Sequence, residues 1–364
     1  VATLPGKPGR NAVFLEERAR APSVAATPVA AIERARDFIE QARIDGDPRY
    51  LGHALGVLAP WPDARTAPLD LVVLRATVHQ SLHHFARALA ELDVVLQRDP
   101  RHAQALLTRA TVLQVVGRVD AAARDCHALA RLRGGLAAST CSASVASLSG
   151  QGHAAFVLLE YTLRNAGDEP APSERAWSHS VLAEIAERNG DFAAAASSFR
   201  SALAIDPDDR YVRAAYADFL LDQGDAKGAL ALTANAWSDD NLLLRRALAL
   251  AALGSPQRAE AVAALADRYA AAYRRADALH LREEARFALH LQRDAARALE
   301  LAASNWAVQK EPADARILLQ AAVAAGDRAQ EQAARNWLQR AGVSRQYVQR
   351  VLANVPGARA GAGS

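Results

Sequence analysis

From residue 29 onward, apolar side chains recur three and four positions apart in segments of about a dozen residues, which is the spacing of one face of an α-helix. Short polar turns separate the segments. Ile32, Ala35, Phe38, Ile39 and Ala42 share one such face, and Leu51, Leu55 and Leu58 share the next, with Asp45-Gly46-Asp47-Pro48 between them. The clearest copy of this pattern is residues 176–207, where two helix-length segments flank Asn189-Gly190-Asp191 and Asp206-Pro207 closes the second. Gly just after a periodic segment and Pro just beyond its end are helix stop signals, so this stretch predicts a helical hairpin.

Further hairpins are predicted over residues 70–100, 103–134, 136–166 and 209–238, with another from residue 239 whose second helix runs to about residue 276. The first pair, ending at Pro60-Trp61-Pro62, is degenerate, as expected of a terminal unit. Between residues 167 and 173 a Gly- and Pro-containing stretch interrupts the spacing, and Ser173 is expected to cap the helix that follows. Beyond residue 276 the pattern loosens. Residues 279–306 still read as two helices, but their turn, Gln292-Arg293-Asp294, lacks Gly, and a last pair over 312–341 turns at Gly326-Asp327. Ser344 should cap a short helix carrying Tyr347, Val348, Val351 and Leu352, which is expected to cover the exposed end of the stack. The chain thus divides into a flexible leader (1–28) rich in Pro and Gly, one elongated stack (29–355), and a disordered Gly, Ala and Ser tail (356–364).

Within residues 176–207 the small residues Ala183, Ala195 and Ala202 fall where two helices cross closely, and Leu182, Phe192 and Phe199 supply the bulk between them. With the Gly at the turn and the closing Pro, this spacing resembles a tetratricopeptide repeat, a unit of about 34 residues. His179 stands at the family's early Trp position, and the nearest Trp is Trp177. The resemblance implies an all-α fold, a right-handed α-solenoid of eight to nine helical hairpins. It further implies a concave groove lined by the first helix of each hairpin. Carried over residue by residue, the family's ligand-facing positions put Trp177, Ser180, Glu184 and Glu187 beside Tyr211, Ala214, Asp218 and Asp222. Leu107, Thr111 and Gln114 precede them, and Asn241, Leu244 and Leu248 follow. On this register Trp177, Glu184, Glu187, Tyr211, Asp218 and Asp222 are the expected partner-binding residues. They describe an acidic groove with an aromatic rim, suited to a protein or peptide segment bearing Arg or Lys and an apolar anchor. The competing reading is that these carboxylates form the solvated face of ordinary amphipathic helices.

Composition changes the picture little. The chain is 51% hydrophobic and only 5% aromatic, a balance that suits Ala- and Leu-rich helix packing better than a sheet. Only Lys7, Lys227 and Lys310 are lysines among 43 basic residues, and the Ala and Arg usage is bacterial in style. A net charge of +3, with 40 acidic residues interspersed, leaves no basic stripe for nucleic acid. No apolar run reaches the 18 to 20 or so residues that span a bilayer. The start at Val1 is read as a trimmed terminus, consistent with removal of a signal peptide. The absence of Met has no firm physical explanation, although avoidance of sulfoxide damage in an oxidising compartment would be one.

Cys126 and Cys141 are the only cysteines. Each lies about seven residues from the turn near Arg133-Gly134, on antiparallel neighbouring helices, and so at similar height. Ala137, Ala138 and Ala143 would let the backbones approach within disulfide range. A bond there implies a periplasmic or secreted location, whereas two buried thiols acting as apolar fillers would suit a cytoplasmic one. His79, His83 and His84 form a cluster in which His79 and His83, one helical turn apart, could share Zn²⁺ or Cu²⁺, yet two ligands do not complete a site. His280 with Glu284 reads as a surface hydrogen bond or ion pair. No nucleophile elbow, phosphate loop, zinc-protease or dinucleotide motif is present, and the glycines are explained by the turns. The sequence therefore predicts a scaffold or adaptor that is not an enzyme, with no cofactor. The rival is a metal-handling or enzyme-accessory protein using the His79, His83 and His84 cluster, and a third reading is a structural subunit joined through its ends.

Overall fold

A computed structural model describes residues 27–274 and 281–356. The expectations for most of the leader, for the tail, for His280 and for the end of the helix predicted to reach residue 276 lie outside those residues.

Among the described residues nineteen α-helices follow one another, the first eighteen as nine antiparallel pairs. The first four pairs are α1 (Pro28–Asp45) with α2 (Arg49–Leu58), α3 (Leu69–Ser81) with α4 (Phe85–Arg98), α5 (Ala103–Val115) with α6 (Val119–Arg133), and α7 (Gly135–Ser147) with α8 (Gly152–Arg164). The middle of the chain forms α9 (Pro172–Asn189) with α10 (Phe192–Ile205), and α11 (Arg210–Asp222) with the short α12 (Ala226–Leu232). Then come α13 (Asp240–Ala252) with α14 (Arg258–Arg274), α15 (Leu281–Phe287) with α16 (Ala295–Val308), α17 (Pro312–Ala325) with α18 (Arg328–Arg340), and a single α19 (Arg345–Ala353). Each helix packs mainly on its sequence neighbours, which makes the molecule an α-solenoid.

The local causes are repetitive. Asp191, Asp209, Asp225, Asp239, Asp294 and Asp327 stand at helix N-caps, and each side chain accepts from a backbone N–H of the first turn. One such cap stabilises by about 1 kcal/mol. Nearly every second helix carries one fully buried small residue at the crossing: Ala54, Ala88, Ala122, Ala195, Ala229, Ala261, Ala298 and Ala334 are all 0% exposed. An Ala there lets the partner helix approach closely, and Leu and Phe fill the space on either side.

Three local differences from the sequence reading have physical reasons. Ser173 does not cap α9. Pro172 takes the first helical position, where its missing N–H costs nothing, and Ala171 precedes it with no side-chain cap, so Ser173 lies inside the first turn. The turn without Gly is accommodated by Arg293, which itself adopts the left-handed conformation at φ 61° after a π-helical stretch, Ala288–Gln292. The third difference is the course of α19. Ser344 caps it as expected. Its Val348 and Leu352 pack on the core of the last repeats, as a covering helix should, but the helix also reaches the inner face, where the Ser344 N–H donates to the Arg188 carbonyl (2.8 Å) and Gln320 donates to the Val351 carbonyl (2.8 Å).

The stack curls until its ends meet its middle. At one side Arg43 reaches Asp206 (3.3 Å) and Arg210 donates to the Ile44 carbonyl (2.8 Å), so the α1–α2 turn leans on the α10–α11 turn. At the other side the Lys310 N–H donates to the Val115 carbonyl (2.7 Å), joining the α16–α17 junction to the end of α5. The first helices of the middle repeats thereby face those of the last repeats across a central cavity.

Candidate functional site: the central cavity

The cavity has a volume of about 430 Å³. One wall comes from α9 and α11, with Glu184, Glu187, Arg188, Tyr211, Ala214 and Asp218. The opposite wall comes from α15 and α17, with Arg282, Glu283, Arg286, Glu311 and Arg316, while Tyr347 of α19 and Arg43 with Gly46 of the α1–α2 turn border it. All these side chains face inward because odd-numbered helices turn one face to the hollow and the other to the Ala-lined crossings.

Most of the charge is paired, part of it across the hollow and part along one wall. Asp218 accepts from both terminal nitrogens of Arg286 (2.7 Å each) and from Arg245 (2.8 Å). Asp222 accepts from Arg316 (2.7 Å) and Asn354 (3.0 Å). Arg282 bridges Glu311 (3.1 Å) and Asp314 (3.3 Å). On the near wall the Tyr211 hydroxyl donates to Glu184. Tyr211 is 61% exposed, but the surface it exposes faces the cavity.

The electrostatics separate the carboxylates. Burial alone would raise the pKa of Asp218, but the two guanidinium groups beside it outweigh burial and hold it well below the usual carboxylate range. For Asp222 burial prevails over Arg316, and its carboxyl is shifted upward. Burial, reinforced by the neighbouring Asp222, pushes Glu187 up to about 8. Glu311 is pushed by burial up to about 7 against the pull of Arg282. Repulsion from Glu184, with burial second, raises Tyr211 well above the usual phenol range.

The structure therefore brings Glu184, Glu187, Tyr211 and Asp218 to one wall, with Asp222 buried just behind it. Trp177 is not part of it, being half-buried between the cores of the third and fourth repeats. Cys126 and Cys141 lie elsewhere, joined as a disulfide between α6 and α7 with Cα atoms 5.6 Å apart. The His cluster is also separate. His79 is buried with its ring 5.7 Å from that of His84, and His83, in a left-handed turn conformation, stacks on Phe85 and lies 3.4 Å from Gln309. Among the described residues no three His, Cys, Asp or Glu side chains are grouped to hold a metal ion. Sequence reasoning missed Arg286, Arg316 and Tyr347 as cavity residues, because they belong to repeats that are distant along the chain and come near only through the curl.

A family model for the tetratricopeptide repeat matches residues 186–242, from the end of α9 to the start of α13. Residues 186–242 are thus tetratricopeptide repeats, and the helical hairpins on either side share their architecture. No curated protein matches the chain. Among solved structures the repeats are similar to those of the human IFIT1 dimer with m7Gppp-AAAA, with a TM-score of 0.50 and 13% identity over 91% of this chain and 84% of that one. The Cut9-Hcn1 hetero-tetramer of APC/C gives 0.49 and 12% over 91% of this chain and 59% of that one. PilW, a widely conserved type IV pilus biogenesis factor, gives 0.44 and 16% over 55% and 93%. At such identities the likeness concerns the fold of the repeats alone.

Proposed function

We propose that this tetratricopeptide-repeat protein is a non-catalytic scaffold. It holds a protein or peptide segment bearing a basic residue and an apolar anchor against the inner face at Glu184, Glu187 and Tyr211. Tetratricopeptide repeats are typical of protein–protein interaction scaffolds, and here the chain itself supplies the supporting observation. Its own α19 lies on the inner face and is held by contacts of the kind a partner would use. Arg350 stands over the Phe192 ring (4.1 Å) and bonds Gln223, Asn354 bonds Asp222, and Tyr347 and Val351 are buried. Asp218 and Asp222 are already taken by arginines, so in this reading they fix the far wall, and Glu187, which burial keeps protonated up to about pH 8, gives up its proton when a partner's cation comes beside it.

The bond between Cys126 and Cys141 supports an oxidising compartment, in a bacterium the periplasm, since such bonds are rare in the reducing cytosol. No helix of the described residues is long and apolar enough to cross a membrane.

A photo-crosslinking amino acid in place of Tyr211, with the same group in place of the outward-facing Ala193 as control, tests the reading in native cells. A discrete protein adduct at position 211 that weakens on Glu187→Gln and in high salt is expected. Equal labelling at both positions would sink it.

A further inference from the structure

The fourth repeat differs from its neighbours on its outer face. In α8 the buried side is Gly152, Ala155, Leu159 and Leu163. The opposite side carries Ala154, Val157, Leu158 and Tyr161, and the last three are 51%, 63% and 66% exposed. The other repeats supply a control within the same chain. Aligned on the buried Ala of each second helix, the positions two, three and six residues further on hold Ala90, Glu91 and Val94 in α4. They hold Arg124, Asp125 and Ala128 in α6, and Ser197, Ser198 and Ser201 in α10. In the second and third repeats the middle position forms an ion pair with the preceding helix, Glu91 with Arg75 and Asp125 with Arg109, each at 2.7 Å. The equivalent residues of the fourth repeat are Leu158 and Ser142, so apolar surface replaces that pair. The positions equivalent to Leu158 are buried or half-buried in the other three repeats, so among the four helices compared only α8 leaves large apolar side chains exposed side by side, and a contiguous exposed apolar stripe is the kind of surface that an interaction covers.

We propose that this stripe docks a second copy of the chain, α8 against α8, antiparallel about a two-fold axis passing between Val157 and Leu158. The spacing i, i+3, i+4, i+7 is that of a helix-pairing seam. An antiparallel register centred there sets Ala154 opposite the partner's Tyr161 and Val157 opposite the partner's Leu158, so small meets large and the contact is self-complementary, as a two-fold interface requires. At the flank His153 comes near the partner's Glu160, and Glu160 is joined to Arg164 within its own helix (2.6 Å), so the rim stays polar and no like charges face each other. Four side chains from one helix make a contact well below the roughly 800 Å² per partner of a standard stable complex. The association is therefore weak and concentration-dependent.

Sedimentation velocity from low micromolar to near-millimolar protein tests this. Wild type is expected to pass from monomer to dimer, and Leu158→Asp should raise the dissociation constant at least about tenfold while leaving the melting temperature in place. A second variant reads the register directly. In Leu158→Cys the new thiols meet across the axis, and because Cys126 and Cys141 are already bonded to each other, mild oxidation should yield a covalent dimer, unlike Ala193→Cys. A monomer at every concentration, a dimer indifferent to Leu158→Asp, or equal cross-linking in both cysteine variants would each overturn the proposal and assign the stripe to another occupant.

Discussion

Glu187 lines a cavity among Glu184, Asp222, Arg188, Arg316 and Tyr347, and burial holds its pKa up to about 8, against 4.5 for a free glutamate. Between those two pH values the folded protein keeps a proton that the unfolded chain has released. Its contribution to stability is therefore full below about pH 4.5 and is lost as pH rises towards 8. Histidines buried in the neutral form act in the opposite sense below pH 6.5, His290 among them with its pKa lowered to about 3, chiefly by burial. The difference between wild type and Glu187→Gln isolates the glutamate. Urea midpoints should fall more from pH 5 to pH 8 in wild type than in the variant, and parallel curves would remove Glu187 as the cause. Its inward position was legible from the repeat register, because a helical period fixes which face a residue occupies. Its protonation was not, since that depends on Asp222 and on repeats more than a hundred residues away.

At the scale of elements, the pairs and their turns followed from periodicity and from Gly and Asp at the turns, which are local signals. The nearness of Cys126 and Cys141 followed from their similar height on adjacent helices, also a nearly local relation, whereas a bond and two buried thiols fitted the sequence alike. The course of α19 followed in part: Val348 and Leu352 cover the core of the last repeats as expected, but its reach to α9 left no mark in its pattern. The tight α18–α19 turn directs it there. Gly342 has φ 71°, and a Cβ there would come within 2.6 Å of the Gly150 backbone in the α7–α8 turn. Gly342→Ala should therefore both strain the turn and push two repeats apart, lowering stability by about 1 to 3 kcal/mol. Thermal unfolding monitored by circular dichroism measures it. A neutral result would mean that the two turns do not bear on each other.

The whole molecule departs from the usual behaviour of stacked repeats, in which stability is close to a sum of unit and nearest-neighbour terms and the ends fray first. Here Asp218 ties α11 to α13 and α15 in one knot, with Arg245 and Arg286 each about nine-tenths buried. Removing one member of such a group leaves the others charged and desolvated, at a cost of about 3 to 5 kcal/mol. Asp218→Ala should thus lower the denaturant midpoint strongly and also replace one sharp transition by two, as the middle and last repeats lose their tie. A single transition merely displaced would show that the repeats are coupled by other contacts.

The bond from the Lys310 N–H to the Val115 carbonyl spans nearly two hundred residues, and the contact of Arg43 with Asp206 spans more than a hundred and sixty. Such distant contacts carry a large loop-closure cost that neighbouring repeats never meet, and slow folding is the usual result. A chain emerging from synthesis can already bring Arg43 to Asp206 within its first six repeats, but the bond to the Val115 carbonyl has to wait for Lys310.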